Sequence, residues 1–149
     1  MNTFFSTISE VIDRDLSIVI EELKKYNSED NMWLNPDGIN NPTGTLALHL
    51  AGNLQHFIGT VLGNSGYKRN RNLEFSRRDV SREELISELT NTRKVVKESL
   101  ANLTDSQLDE NYPLLFPDKT VSMQFIMIHL AGHLNYHLGQ INYLRRLTE

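Results

Sequence analysis

VSMQFIMIHLAGHLNYHLGQINYL, residues 121–144, runs for 24 residues without a single Lys, Arg, Asp or Glu. A second such stretch lies upstream: GINNPTGTLALHLAGNLQHFIGTVLGNSGY, residues 38–67, carries no charge over 30 residues. The chain has 149 residues with 15 Lys and Arg and 19 Asp and Glu, so every charge is crowded into the other 95 positions. Both stretches exceed the roughly 20 residues needed to span a bilayer. Their polar content argues against that use: the first holds Asn40, Asn41, His49, Asn53, Gln55 and His56, the second His129, His133, Asn135, His137, Gln140 and Asn142. The alternative is a pair of helices buried on most sides of a bundle, where a helix apolar nearly all round belongs.

Periodicity supports four helices. Phe4, Ile8, Val11, Ile12, Leu16, Val19, Ile20 and Leu23 recur at threes and fours and predict a helix over 3–26, with Glu10, Asp13, Arg14, Glu21, Glu22 and Lys24 facing water. The second helix is expected over 43–63, with Thr43 as N-cap after Pro42 and the turn Gly63-Asn64-Ser65-Gly66 as its end. The third opens with a capping box, Ser81-Arg82-Glu83-Glu84, and runs to about 102 along a stripe of Leu85, Ile86, Leu89, Val95, Val96 and Leu100. The fourth covers 121–146 and ends on Arg145 and Arg146, where the helix dipole favours cations. No run of alternating apolar residues marks a strand, so the expected fold is all-α: a single-domain four-helix bundle over 1–149.

Composition narrows the function. The absence of cysteine removes disulfide scaffolds, thiolate zinc sites and cysteine nucleophiles, and is compatible with a reducing cytoplasm. The start Met1-Asn2-Thr3-Phe4-Phe5 lacks a basic and then apolar leader pattern, so no signal peptide is expected. A net charge of −4 argues against a general nucleic-acid binder. The basic run Lys68, Arg69, Arg71, Arg77, Arg78 and Arg82 is interleaved with Glu74, Asp79, Glu83 and Glu84, which reads as a solvated, internally paired connection. Trp33 and Phe75 are expected to cover a pocket or plug a bundle end, and Gly59 and Gly63 to allow a close helix contact between subunits.

The uncharged helices also hold all five histidines. His49 and His56 are seven apart on one face; His129, His133 and His137 follow at intervals of four on one stripe. Two histidines at i and i+4 can grip one metal ion, and a third from a neighbouring helix completes a facial set. His129 to His137 spans about 12 Å of helix axis, too far for both to reach one ion. One adjacent pair therefore binds, 129/133 or 133/137. Taken singly, His56 and His129 read as hydrogen-bonded core residues; five imidazoles buried together need partners, and a metal supplies one. An echo links the helices: from His49 and from His129 onward, six of eleven aligned positions are identical, through HLAG and a later glycine. Equal packing duty explains this more simply than duplication, with Ala51-Gly52 and Ala131-Gly132 permitting close helix approach.

The run from His133 through His137 to Gln140-Ile141 resembles the HxxxHxGQI signature of the DinB-like (DinB/YfiT) superfamily of metal-binding four-helix bundles, and His49-Leu50-Ala51-Gly52-Asn53 resembles its other histidine motif. The stretch from Gly66 through Arg69, Arg71, Glu74 and Phe75 is similar to a DinB-related family of unknown function. The resemblance covers essentially the whole chain. It implies a divalent transition metal, zinc, nickel or iron, held by His49, His133 and His137. His129 then becomes a core histidine or a neighbour of the ligands. Asn53 and His56 are candidates to hydrogen-bond a ligand or a metal-bound water, and Gln140 to do the same or to satisfy a buried backbone group. Three nitrogen ligands leave an open position, the mark of a catalytic site. The superfamily resemblance implies a homodimer and a small-molecule substrate, with thiol S-transferases that use low-molecular-weight thiols such as mycothiol or bacillithiol, hydrolases and isomerases as its reaction classes. A non-catalytic, structural or stress-related metal-binding dimer is the competing reading. The two uncharged helices carry no carboxylate, so any acid acting at the site comes from a loop, with Glu74 and Asp79 the nearest candidates.

Overall fold

In the computed structural model, which describes residues 3–149, the chain folds as a helical bundle. Met1 and Asn2, where the N-terminal reading begins, lie outside the described residues. Among the described residues the extended pairing amounts to one isolated bridge, Asn111 with Ser122, and no helix is long and apolar enough to cross a membrane.

α1 (Phe4–Lys25) begins at Thr3, which forms a reciprocal capping box with Ser6 and buries Phe5, Ile12, Leu16, Val19 and Leu23. α2 (Thr43–Leu54) continues through a π-helical turn over Gln55–Thr60 into α3 (Val61–Gly63), so the second expected helix is one rod with a widened turn inside it. Thr43 is its first helical residue rather than its cap: Pro42 occupies the cap position, and the Thr43 hydroxyl meets Tyr26 Oη at 2.7 Å. The connection expected to be a loop contains a short helix, α4 (Arg71–Ser76), capped by Asn70. α5 (Arg82–Leu100) starts from the Ser81/Glu84 capping box, and α6 (Met123–Thr148) from Ser122, whose hydroxyl accepts from Phe125 N–H.

α5 and α6 each pack against both α1 and α2. Asp15 pairs with Asn135 and Glu22 with Asn142, so α1 and α6 run parallel. Gln55 meets Thr92, and Cβ atoms built on Gly59 and Gly63 would lie 2.7 Å from Val95 and 2.0 Å from Ser99; α2 and α5 are therefore parallel too. Phe4 N–H donates to Asp105 while Asp13 binds Arg93, which sets the two parallel pairs in opposite directions.

Several expectations change or are narrowed. Glu22 does not face water: it is 3% exposed, and the side chains of Asn142 and Arg145 donate to its carboxylate. Gly59 and Gly63 lie against Val95 and Ser99 of α5, a close helix contact within one chain. Trp33 plugs the N-terminal end of α2, where its ring lies over Gly44, and Phe75 lies against His49. The uncharged helices are also unequal. Every residue of α2 is buried, whereas α6 turns Phe125, Ile128, Tyr136, Tyr143 and Leu147 outward. Nothing lies within 4 Å of a Cβ placed on Gly132 or Gly139, so these glycines serve no helix contact in the chain.

Burial alone would push the Glu22 carboxyl up, but the bonds from Arg145 and Asn142 and the Arg145 charge hold it below its ordinary 4.5. Its stabilising contribution is therefore present above the unfolded value and lost as pH falls through the lowered folded value. Glu22→Ala strands Arg145 and is expected to cost about 3 kcal/mol in urea unfolding at pH 7. The penalty should shrink as the pH is taken below 4.5.

Candidate metal centre

His49 sits in the middle of fully buried α2, while His133 and His137 occupy consecutive turns of the α6 face that meets it. Nε2 of His133 lies 3.2 Å from Nε2 of His49 and 3.1 Å from Nε2 of His137, and the ligand atoms of all three lie within 4.8 Å of one another. Two nitrogens about 2.0–2.1 Å from a common ion, at tetrahedral to right angles, are about 2.9–3.4 Å apart. Both close separations match that spacing.

The outer nitrogens make the arrangement directional. Nδ1 of His49 donates to Oε1 of Glu74 at 3.1 Å, and Nδ1 of His137 to Oε1 of Gln140 at 2.6 Å. A neutral imidazole protonated on Nδ1 presents a bare lone pair at Nε2. His49 and His137 thus both aim lone pairs at His133, whose Nε2 carries at most one proton and can satisfy only one of them. A cation among the three nitrogens relieves the conflict, so the donor set fits a divalent metal. Burial, and then the charge that neighbouring His137, His49, His129 and Arg69 would add, lowers His133 to about 4. Burial and His49 likewise lower His137 against the opposing bond from Gln140. Near pH 7 both are neutral, as metal ligation requires.

Glu74 is the acid that reaches the site. It is buried, and Arg69 grips it with two bonds, Nε to Oε2 at 2.8 Å and Nη2 to Oε1 at 2.9 Å. Burial would raise its pKa, but the bonds from His49 and Arg69 hold it below the ordinary value. It therefore stays ionised and serves as a fixed acceptor for His49, an arrangement that orients a ligating histidine. Gly52 makes room for it: a Cβ there would fall 2.0 Å from Oε2 and 2.6 Å from Cδ of Glu74. Asp79, the other carboxylate candidate, is 85% exposed at its side chain and lies near Arg77.

The remaining candidates separate. Gln140 holds His137. Asn53 is buried one turn beyond His49, and its Oδ1 has no partner. His56 falls in the π-helical turn with its ring edge-on to Phe57, outside the triad; burial and then the Arg69 charge lower its pKa, opposed by Glu74. His129 is exposed, which removes the core-histidine reading; it stacks 6.3 Å from His133 and meets Phe116 at 4.6 Å. Sequence reasoning missed the Arg69–Glu74 pair and the service of Gly52. A glycine in mid-helix with no turn around it was the available signal of a close approach. Of the other basic residues, Arg71 lies over Phe75, Arg78 over Trp33, Arg77 lies near Asp79, and Arg82 donates to the Tyr26 carbonyl.

A helical bundle with a convergent three-histidine cluster between two of its helices is the class that this geometry defines. The chain belongs to the DinB superfamily, which it matches over residues 14–141. A crystal structure of a conserved protein from Enterococcus faecalis is similar over 99% of this chain and 98% of that one, with a TM-score of 0.81 and 17% identity, a likeness of fold. No curated protein matches the chain.

Gly52→Ala should displace Glu74 and release His49. Competition with a chromophoric chelator is expected to show divalent-ion affinity about 10–100-fold weaker in Gly52→Ala and in Glu74→Gln. Unchanged affinity in both variants would separate Glu74 from the centre.

Proposed function

We propose that the protein is a metal-dependent enzyme in which His49, His133 and His137 hold one zinc, nickel or iron ion and the open position takes the sulfur of a low-molecular-weight thiol for transfer to a small electrophile. The observation that carries this reading is the convergence of three Nε2 atoms while two of the outer nitrogens are tied back by Glu74 and Gln140. When bound, such an ion supplies an open position and lowers the pKa of a coordinated thiol or water. The chain's own groups supply neutral ligands of fixed tautomer, and Phe75 shields one side of His49. Thiol transfer is favoured over hydrolysis because the one carboxylate brought to the site, Glu74, is saturated by Arg69 and His49 and is not free to move a proton. The same saturation favours, as the second reading, a metal-binding bundle without turnover.

Elemental analysis of the purified protein is expected to find about one divalent ion per chain, lost in His133→Ala and kept in His129→Ala. Coupling of a small thiol to an aryl halide should disappear on chelation and return with added metal. If chelation lowers the melting temperature while the thiol-transfer rates stay where they were, the enzyme reading gives way to the non-catalytic one.

The homodimer belongs to the same proposal, now on the outer face of α6. A surface uncharged from 121 to 144 is best met by another uncharged surface, since a charged partner would be desolvated without a counter-charge. Gly132 and Gly139, like Ile128 and Tyr143, are equidistant from the middle of this face, so a second copy running antiparallel sets glycine against glycine and Ile128 against Tyr143. Light scattering should give twice the chain mass for the wild type and the single-chain mass for Tyr136→Arg. A monomeric wild type at tens of micromolar would remove the dimer.

A further inference from the structure

We propose that Asn53 is the third of three side chains that orient the ligand histidines, its Oδ1 accepting a hydrogen bond from Nδ1–H of His133. The inference rests on the three-histidine reading and deepens it. His49 has Glu74 on its outer nitrogen and His137 has Gln140, but Nδ1 of His133 is buried without a partner. A buried donor left unpaired destabilises the fold, so a complementary acceptor close by is favoured. Among the described residues, four buried side-chain polar atoms lack a partner: Thr45 Oγ1, Asn53 Oδ1, Arg82 Nε and His133 Nδ1. Arg82 Nε is a donor, at the start of α5, and cannot serve another donor.

Register separates the remaining two. α2 and α6 are antiparallel, with His49 facing His133 and His137. One turn on from His49 along α2 is Asn53, and the matching direction along α6 leads from His137 back past His133 toward His129. Side chains on a helix lean toward its N-terminus. The His133 ring therefore leans toward the level of Asn53, and the Asn53 amide leans back toward the His49–His133 contact. Thr45 lies one turn on the opposite side of His49, toward the level of Gln140. The two complementary orphans, an acceptor on α2 and a donor on α6, thus lean toward each other. The proposed pairing calls for movement of the Asn53 amide, since turning the His133 ring would carry Nε2 away from His49 and His137.

This pairing gives His133 the same tautomer as its two neighbours, with Nδ1 protonated and the Nε2 lone pair free, and completes an outer set of one carboxylate and two amide oxygens. The test uses the full-length protein with zinc as probe. Asn53→Leu should weaken zinc by about 10–100-fold in chelator competition, while Asn53→Asp, which keeps an acceptor, should restore wild-type affinity or exceed it. Ring nitrogen–proton correlation spectra should show a slowly exchanging Nδ1–H on His133 in the wild type and in Asn53→Asp that is lost in Asn53→Leu. Equal zinc affinity in the wild type and Asn53→Leu, or a His133 Nδ1–H that exchanges equally fast in both, overturns the assignment. If Asn53→Leu does not fold, the wild-type and Asn53→Asp spectra still decide: absence of the slow Nδ1–H overturns it. A wild type that binds no zinc sinks the metal-centre reading instead, and the same spectra on the metal-free protein then judge the Asn53 pair on its own.

Discussion

A helix buried on every side has to find partners inside the protein for each polar group it carries, and α2 is such a helix. Water reaches few of its side chains, so those that are satisfied recruit another element, while Thr45 Oγ1 and Asn53 Oδ1 stay without a partner. Thr43 draws in Tyr26, His49 draws in Glu74 and the histidines of α6, and Gln55 draws in Glu88 and Thr92 of α5. Its glycines act in the same way through shape. Gly44 admits the Trp33 ring, Gly52 the Glu74 carboxylate, Gly59 the Val95 side chain and Gly63 the Ser99 hydroxyl. The bundle is assembled around these points of contact, and the three-histidine cluster is the place where two of the demands, an imidazole and a missing Cβ, fall within one turn of each other.

The long helices, the Ser81/Glu84 cap and the stripe of His129, His133 and His137 were legible because they follow from spacing along a single helix. The choice of His133 and His137 with His49 came instead from the resemblance to the superfamily's motifs. What stayed hidden depends on neighbours far away in sequence. Glu22 sits among solvent-facing charges in the linear pattern, and only Asn142 and Arg145, some 120 residues away, make its burial tolerable. Glu74 was legible as a candidate acid for the site, but its run of arginines gave no sign that it would be buried against His49 from α4 with Arg69 gripping it. The π-helical turn at Gln55–Thr60 leaves no trace in composition. Absence of charge proved an ambiguous sign of burial. It is true burial in α2, while in α6 it also covers an outward face with Tyr136 and Tyr143 about two-thirds exposed.

The HLAG echo shows how the same residues take different meanings. In α2 the motif places His49 in the triad and uses Gly52 to seat Glu74. In α6 its histidine, His129, is exposed, and Gly132 faces open space. Equal packing duty therefore does not account for the repeat. The triad histidines of α6 begin one turn later, at His133, where the motif has already diverged from Asn53 in α2. That divergence matters chemically, since the position holding a triad histidine in one helix holds an amide in the other.

The charge balance of the centre bears on what it can bind. The three ligands are neutral imidazoles, and the one nearby carboxylate is neutralised by the bidentate Arg69 that grips it. Glu74 thus fixes the direction of His49 without lending the centre a net negative charge. A divalent ion held here would keep nearly its full charge, in a pocket where burial already lowers His133 and His137 and so disfavours further protons. With a divalent ion bound, such a cluster would attract an anionic sulfur or oxygen donor and would lower the pKa of a coordinated thiol or water. A cluster including a ligating carboxylate would give up part of that pull. The sequence departs from such a cluster by keeping every acid off α2 and off residues 121–144 of α6, so the absence of charge that sets the fold also sets the strength of the site.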